Sequence, residues 1–384
     1  MKNTLGSPAR GDAFYQRDKE INHIYKTLET GTAIYLAAPR RVGKTSILRR
    51  LEEFPKSGFQ FIYVITESID NSNDFFKEIF DQLLKSDFIK RSTKLLELSK
   101  RILNGALDRV SEFNGVKTKE PKEPNYYDIL IELFTSVTDE IDRVVIMIDE
   151  FPQTIQNILD KSGKPEAQRF LQMNREIRLN HQVLKRFTFI YTGSISLFPM
   201  VEKVASLTSV NDIRTVPVNP LTEKDAKEFI TRLMEETPVY IDNTTIEYII
   251  KKIKWLIPFH LQLIQYEIIE LCDVEPAVTC DVVDQAFDQI VQNRNKPQFE
   301  PYFERLQKLF KGNIYLFVMD VLKYTASNDV ITKAVLHNMS VKNNLEEVKS
   351  VLETLEGDGY LFKNEDVYQY TSPVLQLWCK KFIC

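Results

Sequence analysis

Eight consecutive residues, Ala38, Pro39, Arg40, Arg41, Val42, Gly43, Lys44 and Thr45, have the types and spacing of a phosphate-binding loop. The pattern is a small residue, four free positions, then Gly-Lys-Thr, with Ala38 where such loops carry their first glycine. A loop that wraps backbone N–H groups around phosphate oxygens needs a small residue where it starts. It needs a glycine where the chain passes closest to the anion, and Gly43 fills that place. A helix opening at Lys44 points its positive end at the phosphates. The Lys44 ammonium then bridges β- and γ-phosphates, and the Thr45 hydroxyl ligates Mg²⁺. Ser46 follows in the same turn and is counted with the nucleotide-binding residues, while Arg40 and Arg41 add positive charge beside the phosphates. An ordinary basic turn capping a helix is the bland alternative. An apolar strand before the loop and a helical pattern after it argue against that reading.

A second constellation lies about a hundred residues on. The apolar run 144–148 ends in Asp149 and Glu150. Ligands of a parallel sheet bind at the carboxyl ends of its strands. Asp149 at such an end can hold Mg²⁺ through the water shell of the ion. Glu150 can polarise the water that attacks a γ-phosphate. A strand-ending Asp is also a common turn former. The distance from the phosphate loop and the βα context favour the functional reading.

These groups need a scaffold, and the periodicity supplies one. Residues 18–29 have helical spacing, 33–37 are strand-like, and 44–54 are helical up to Pro55. A second strand is expected at 59–65, helix over 74–114, a surface loop at 115–125 and helix over 128–141. The unbroken run 144–148 suits a strand covered on both faces. Helix at 166–180 and strands at 187–191 and 213–218 follow, and Pro217 places the last strand at a sheet edge. Strands alternating with helices imply an α/β fold with a parallel five-stranded sheet. Residues 222–295 read as helices broken near Pro238, Pro258 and Pro276. Residues 300–384 read as helices followed by a hairpin, the order of a winged helix.

A chain of 384 residues is too long for one core, so two or three domains are expected. Lys and Arg total 50 against 54 Asp and Glu, a net charge of -4, which excludes a chain-wide electrostatic grip on nucleic acid. Cys272, Cys280, Cys379 and Cys384 form no C-x-x-C pair and are expected to be reduced thiols. The first residues lack an apolar core of a signal peptide, and no run approaches a membrane span. The expected compartment is the cytoplasm.

Residues 17–48, 144–152, 187–197 and 214–223 together resemble the archaeal-type ATPases, in the STAND class of AAA+-related P-loop NTPases, which are also related to origin-initiator ATPases. The resemblance implies ATP rather than GTP. It implies an ASCE/AAA+-like core at 12–220 after a loose arm at 1–11, a helical lid at 221–297 and a winged helix at 298–384. By the same resemblance, the polar end of the fourth strand, Thr192-Gly193-Ser194, is the γ-phosphate sensor. Arg214 senses γ-phosphate in cis or reaches a neighbouring copy of the chain. Pro258 packs near the adenine, although Leu256 stands where the family has a glycine. His260 is read as a packed histidine.

The expected recognition helix, 343–357, carries Glu346, Glu347, Glu353 and Glu356 against Lys349 alone. Over 300–384 there are ten Lys or Arg and eleven Asp or Glu, so no basic footprint faces DNA. The expected function is therefore an ATP-hydrolysing conformational switch whose lid or winged helix meets a protein partner. The alternative is a DNA-associated loader or initiator.

Overall fold

Runs of β-branched and aromatic residues set the strands of this protein, and short polar caps set its helices. A computed structural model describes residues 1–90, 92–113, 123–137, 142–272, 277–346 and 348–384. Expectations for 115–122, for the helix end at 138–141, for Pro276 and for Glu347 fall outside the described residues. The chain forms two compact units: Arg17–Ala37 with Ile47–Pro217, and Met1–Gln16 with Ala38–Ser46 and Val218–Cys384.

The first unit holds α1 (Asp18–Glu29), β1 (Ala33–Ala37), most of α2 (Lys44–Glu53), β2 (Phe59–Ile65), α3 (Ser72–Lys85), α4 (Asp87–Lys90) and α5 (Thr93–Phe113). It continues with α6 (Tyr126–Ser136), β3 (Arg143–Asp149), α7 (Phe151–Leu179), α8 (His181–Leu184), β4 (Phe187–Thr192), α9 (Leu197–Val204) and β5 (Ile213–Pro217). The strands form one sheet in the order β2-β3-β4-β1-β5, with every pairing parallel. Residues 144–149 are all buried, so β3 is covered on both faces, as its apolar run predicts. β5 lies at an edge, where Pro217 deprives no outer neighbour of a hydrogen bond.

Two helical expectations change. The stretch 74–114 is not one helix, because serines interrupt it. Ser86 turns extended, and its Oγ takes the N–H of Ile89; Ser92 Oγ takes the N–H of Leu95. The helix expected at 166–180 already begins at Phe151, where Pro152 fits a first turn, and only a kink at Gly163 (φ 81°) interrupts it.

Arg178 of α7 is 1% exposed and reaches Asp212 by Nε at 2.7 Å and by Nη2 at 3.1 Å. Its Nη2 also donates to the Ser209 carbonyl at 2.8 Å, which ties α7 to the segment leading into β5. Replacing Arg178 with alanine strands Asp212 without its buried partner. The expected cost is about 3–5 kcal/mol, read as a lowered urea midpoint.

The second unit is built from α10 (Glu223–Met234), α11 (Asn243–Ile253), α12 (Pro258–Leu271), α13 (Cys280–Ile290), α14 (Lys296–Leu309) and α15 (Gly312–Asn328). Then come β6 (Val330–Thr332), α16 (Lys333–Lys342), α17 (Lys349–Gly357), β7 (Leu361–Asn364), β8 (Val367–Tyr370) and α18 (Pro373–Phe382). Side chains of Thr222, Asp242, Thr279, Thr332 and Ser372 cap first-turn amides and explain where five of these helices start. The last three strands make an antiparallel sheet, β6-β8-β7. α17 starts at Lys349 rather than at 343, because Asn344 is left-handed (φ 54°) and Leu345 N–H closes α16 on the Ser340 carbonyl. In the segment expected as a loose arm, the Met1 ammonium donates to the Arg232 carbonyl and Asn3 Nδ2 to that of Gln262, both at 2.9 Å. Among the described residues no helix is long and apolar enough to cross a membrane.

Candidate functional site

The phosphate loop belongs to the second unit, and its backbone has two left-handed positions, Arg41 at φ 64° and Gly43 at φ 109°. Left-handed turns of this kind gather successive N–H groups into an anion-binding nest. For Arg41, a residue with a Cβ, the conformation costs about 1–2 kcal/mol, and such strain gathers at functional sites. Val42 anchors the loop with a fully buried side chain. Lys44, 8% exposed, donates from Nζ to the carbonyls of Ala38 at 2.6 Å and Pro39 at 3.0 Å. The ammonium is thus tied to the start of its own loop. Thr45 follows in the first turn of α2, and Ser46 Oγ accepts the N–H of Ala9 at 3.0 Å.

The loop side chains reach into the rest of this unit. The Arg41 guanidinium lies 4.0 Å over the Phe259 ring, and its Nη1 donates to Gln298 Oε1 at 3.0 Å. Burial lowers the Arg41 pKa from its ordinary value. Arg40 stands 5.7 Å over the ring of Tyr302 in α14. Pro39 abuts Gly359, where an added Cβ would sit 2.8 Å from Pro39 Cβ and 3.0 Å from the Trp255 ring. Pro258 is the first residue of α12, and its neighbour Phe259 supplies the contact with Arg41. His260 is buried, with Nδ1 3.5 Å from Ser372 Oγ, and burial pulls its pKa down to about 3. It is a neutral packed histidine, as its apolar setting predicts.

The acidic pair belongs to the sheet unit. Asp149 ends β3 and is 7% exposed. Its Oδ2 accepts the Tyr63 hydroxyl at 2.5 Å and its Oδ1 the Glu150 N–H at 3.1 Å. Thr66 fixes the Asp149 carbonyl through its own N–H and hydroxyl. Burial, then the Asp149 charge, pushes the Tyr63 phenol far up, so it stays a donor. Glu150 is left-handed (φ 64°, ψ 31°) at the cap of α7. Its Oε2 accepts both the N–H and the hydroxyl of Ser194 at 2.9 Å each. Gly193 permits this approach, because a Cβ there would stand 2.6 Å from Pro152 Cδ. The sheet thus brings Glu150, Asp149 and Ser194 together at the carboxyl ends of β3 and β4.

Arg214 is not in that group. It is exposed on the edge strand β5 and pairs with Ile34, three residues before β1 ends at Ala37. Three strand residues span about 10 Å, so Arg214 stands toward the opposite end of the sheet from the acidic pair. Tyr63, Thr66, Phe259, Gln298, Tyr302 and Gly359 are contacts that the sequence reading missed.

The donors suit Mg²⁺, a hard ion that takes oxygen ligands and keeps several waters. Asp149 offers carboxylate and Thr45 hydroxyl oxygen. Among the described residues no cluster of three or more His, Cys, Asp or Glu could hold a metal ion.

The fold has known counterparts. The Walker-type ATPase PABY2304 of Pyrococcus abyssi superposes with a TM-score of 0.67 at 17% identity, over 98% of this chain and 99% of that one. The ORC2 protein of Aeropyrum pernix, solved as ADPNP-ADP complexes, gives 0.53 at 12% identity, over 95% and 92%. At these identities the likeness shows the fold alone. No curated protein matches the sequence significantly. A family model for the ATPase domain predominantly from Archaea matches residues 14–253, which include the phosphate loop, the acidic pair, Ser194 and Arg214. The chain belongs to this family of archaeal-type P-loop ATPases.

Proposed function

We propose that the chain binds ATP with Mg²⁺, hydrolyses it slowly, and uses the bound state as a conformational switch. The observation that carries the switch is the grip on the loop within the second unit. Between them Pro39, Arg40 and Arg41 touch the Gly359 turn, α14 and α12. A phosphate that reshapes the loop must move at least one of these contacts. Behind them, Tyr360 donates to the Tyr302 carbonyl at 2.5 Å, and Arg305 pairs with Asp358 at 2.8 Å, both partners buried. A loop movement would therefore pass into the C-terminal elements.

In this reading residues 38–46 would cradle the triphosphate and Lys44 would neutralise its charge; Thr45 in that unit and Asp149 in the sheet unit are each assigned as an oxygen ligand for the ion. The ion would stabilise charge on the phosphate oxygens. Glu150 activates water and Ser194 orients Glu150. Pro258 and its neighbours in α10–α13 act as the lid. Arg214, exposed on an edge strand, is assigned to contact with a second copy of the chain. The order α15, β6, α16, α17, β7, β8 is read as a winged helix. Its α17 carries Lys349 against Glu353 and Glu356, so protein rather than DNA is its partner. The setting is the cytoplasm, and the relation to STAND-class switches rests on the same motifs.

Limited proteolysis and particle mass, measured without nucleotide, with ADP and with a non-hydrolysable ATP analogue plus Mg²⁺, test the switch. The analogue is expected to change the cleavage pattern or the mass. Identical results in all three states would rule the switch out. Gly359→Ala probes the coupling, since the new Cβ presses on Pro39 and Gly359 has φ 79°. A disturbance of about 1 kcal/mol is expected, which weakens ATP binding about fivefold. Gly105→Ala, with open space at the added Cβ, serves as the control and should leave affinity unchanged.

A further inference from the structure

We infer that Tyr63 is a positioning residue for the metal-side carboxylate, Asp149. The inference rests on the reading of Asp149 as the Mg²⁺ carboxylate and adds the group that aims it. Tyr63 lies on β2, whose parallel register with β3 sets Ile65 opposite Asp149 and Tyr63 opposite Met147. From two residues back the phenol reaches forward to Asp149 Oδ2 at 2.5 Å, in a place where Tyr63 is 8% and Asp149 7% exposed. A carboxylate rotates freely about its last bond unless both oxygens are held. Here Oδ2 is held by the hydroxyl and Oδ1 by the Glu150 N–H, so the plane of the group is set.

The phenol is itself held. The Arg49 guanidinium covers the Tyr63 ring at 3.5 Å, and Arg49 Nη1 pairs with Glu52 at 2.6 Å. A buried tyrosine hydroxyl needs some partner; here that partner is the carboxylate at the end of β3, and a guanidinium lies over the ring. The chain Glu52–Arg49–Tyr63–Asp149 ends on the atoms a hydrated divalent ion would meet. Partners that orient a metal ligand commonly contribute 10- to 100-fold to metal affinity.

Tyr63→Phe removes one oxygen and keeps the ring. The probe is a fluorescent ATP analogue, titrated with the purified chain at a series of Mg²⁺ concentrations and also in EDTA. The Mg²⁺ concentration giving half of the metal-dependent gain in affinity is expected to rise about tenfold. Binding in EDTA should stay at the wild-type level, while the thermal midpoint without metal falls modestly, because the buried Asp149 Oδ2 loses a donor. An unchanged Mg²⁺ midpoint overturns the inference, and so does an equal loss of affinity with and without the ion, which would mean a packing role only. Asp149→Asn separates this failure from failure of the site. If Asp149→Asn leaves the Mg²⁺ dependence intact, the assignment of Asp149 is wrong. If it abolishes the dependence while Tyr63→Phe does nothing, only the Tyr63 inference falls. The double variant should be no worse than Asp149→Asn alone, and additive losses would contradict action through one hydrogen bond.

Discussion

Lys44→Ala is expected to weaken ATP binding on the order of 100-fold. Each hydrogen bond to a charged partner contributes about 1.5–3 kcal/mol, and two such bonds to β- and γ-phosphate oxygens exceed the roughly 2.7 kcal/mol that a 100-fold change requires. In the structure the same ammonium holds its own loop through the carbonyls of Ala38 at 2.6 Å and Pro39 at 3.0 Å. The variant therefore loses both the charge and the group that organises the loop. Titration of a fluorescent ATP analogue checks it. Lys44→Arg, which keeps the charge but not the compact shape, should recover only part of the affinity. Wild-type affinity in Lys44→Ala would remove the phosphate loop from the account altogether.

How much of this was legible before the structure depended on whether the signal was local. The loop 38–45 and the strand ending at Asp149 are contiguous words in the sequence. Each carries its context beside it, and the strand expectations at 33–37 and 59–65 match β1 and β2 to the residue. Tyr63 was invisible for a different reason. Its partner Asp149 is adjacent only because β2 pairs with β3, and nothing in the periodicity tells which strand β3 neighbours. Gly359 and Tyr302 share that limit, since both lie far along the chain from Pro39 and Arg40. α7 begins at Phe151, before the expected 166, and the chain takes Gly163-Lys164-Pro165 into the helix as a kink. Arg214 shows the opposite case. A motif marked it out, and strand register then set it opposite Ile34, away from the carboxyl ends of the strands.

Glu150→Gln should slow hydrolysis by about 10²- to 10⁴-fold, the usual contribution of a positioned base, and leave ATP affinity within about threefold of wild type. Glutamine has the same length and can still accept the N–H and hydroxyl of Ser194, which hold Glu150 Oε2 at 2.9 Å. The local fold should therefore survive, and what is lost is the charge that polarises water. Both Ser194 donors go to Oε2, so Oε1 is the oxygen assigned to the proton. Ser194→Ala removes the hydroxyl but not the amide, so a smaller loss, about tenfold, is expected from less exact aim. The left-handed backbone at Glu150 (φ 64°) gives an independent reason to expect function here. Strain of about 1–3 kcal/mol persists only where the surroundings enforce it. Phosphate release under single-turnover conditions, with ATP affinity measured in parallel, separates chemistry from binding. If Glu150→Gln released phosphate at the wild-type rate, Glu150 would be a helix cap alone, and the bound nucleotide a structural ligand rather than a substrate.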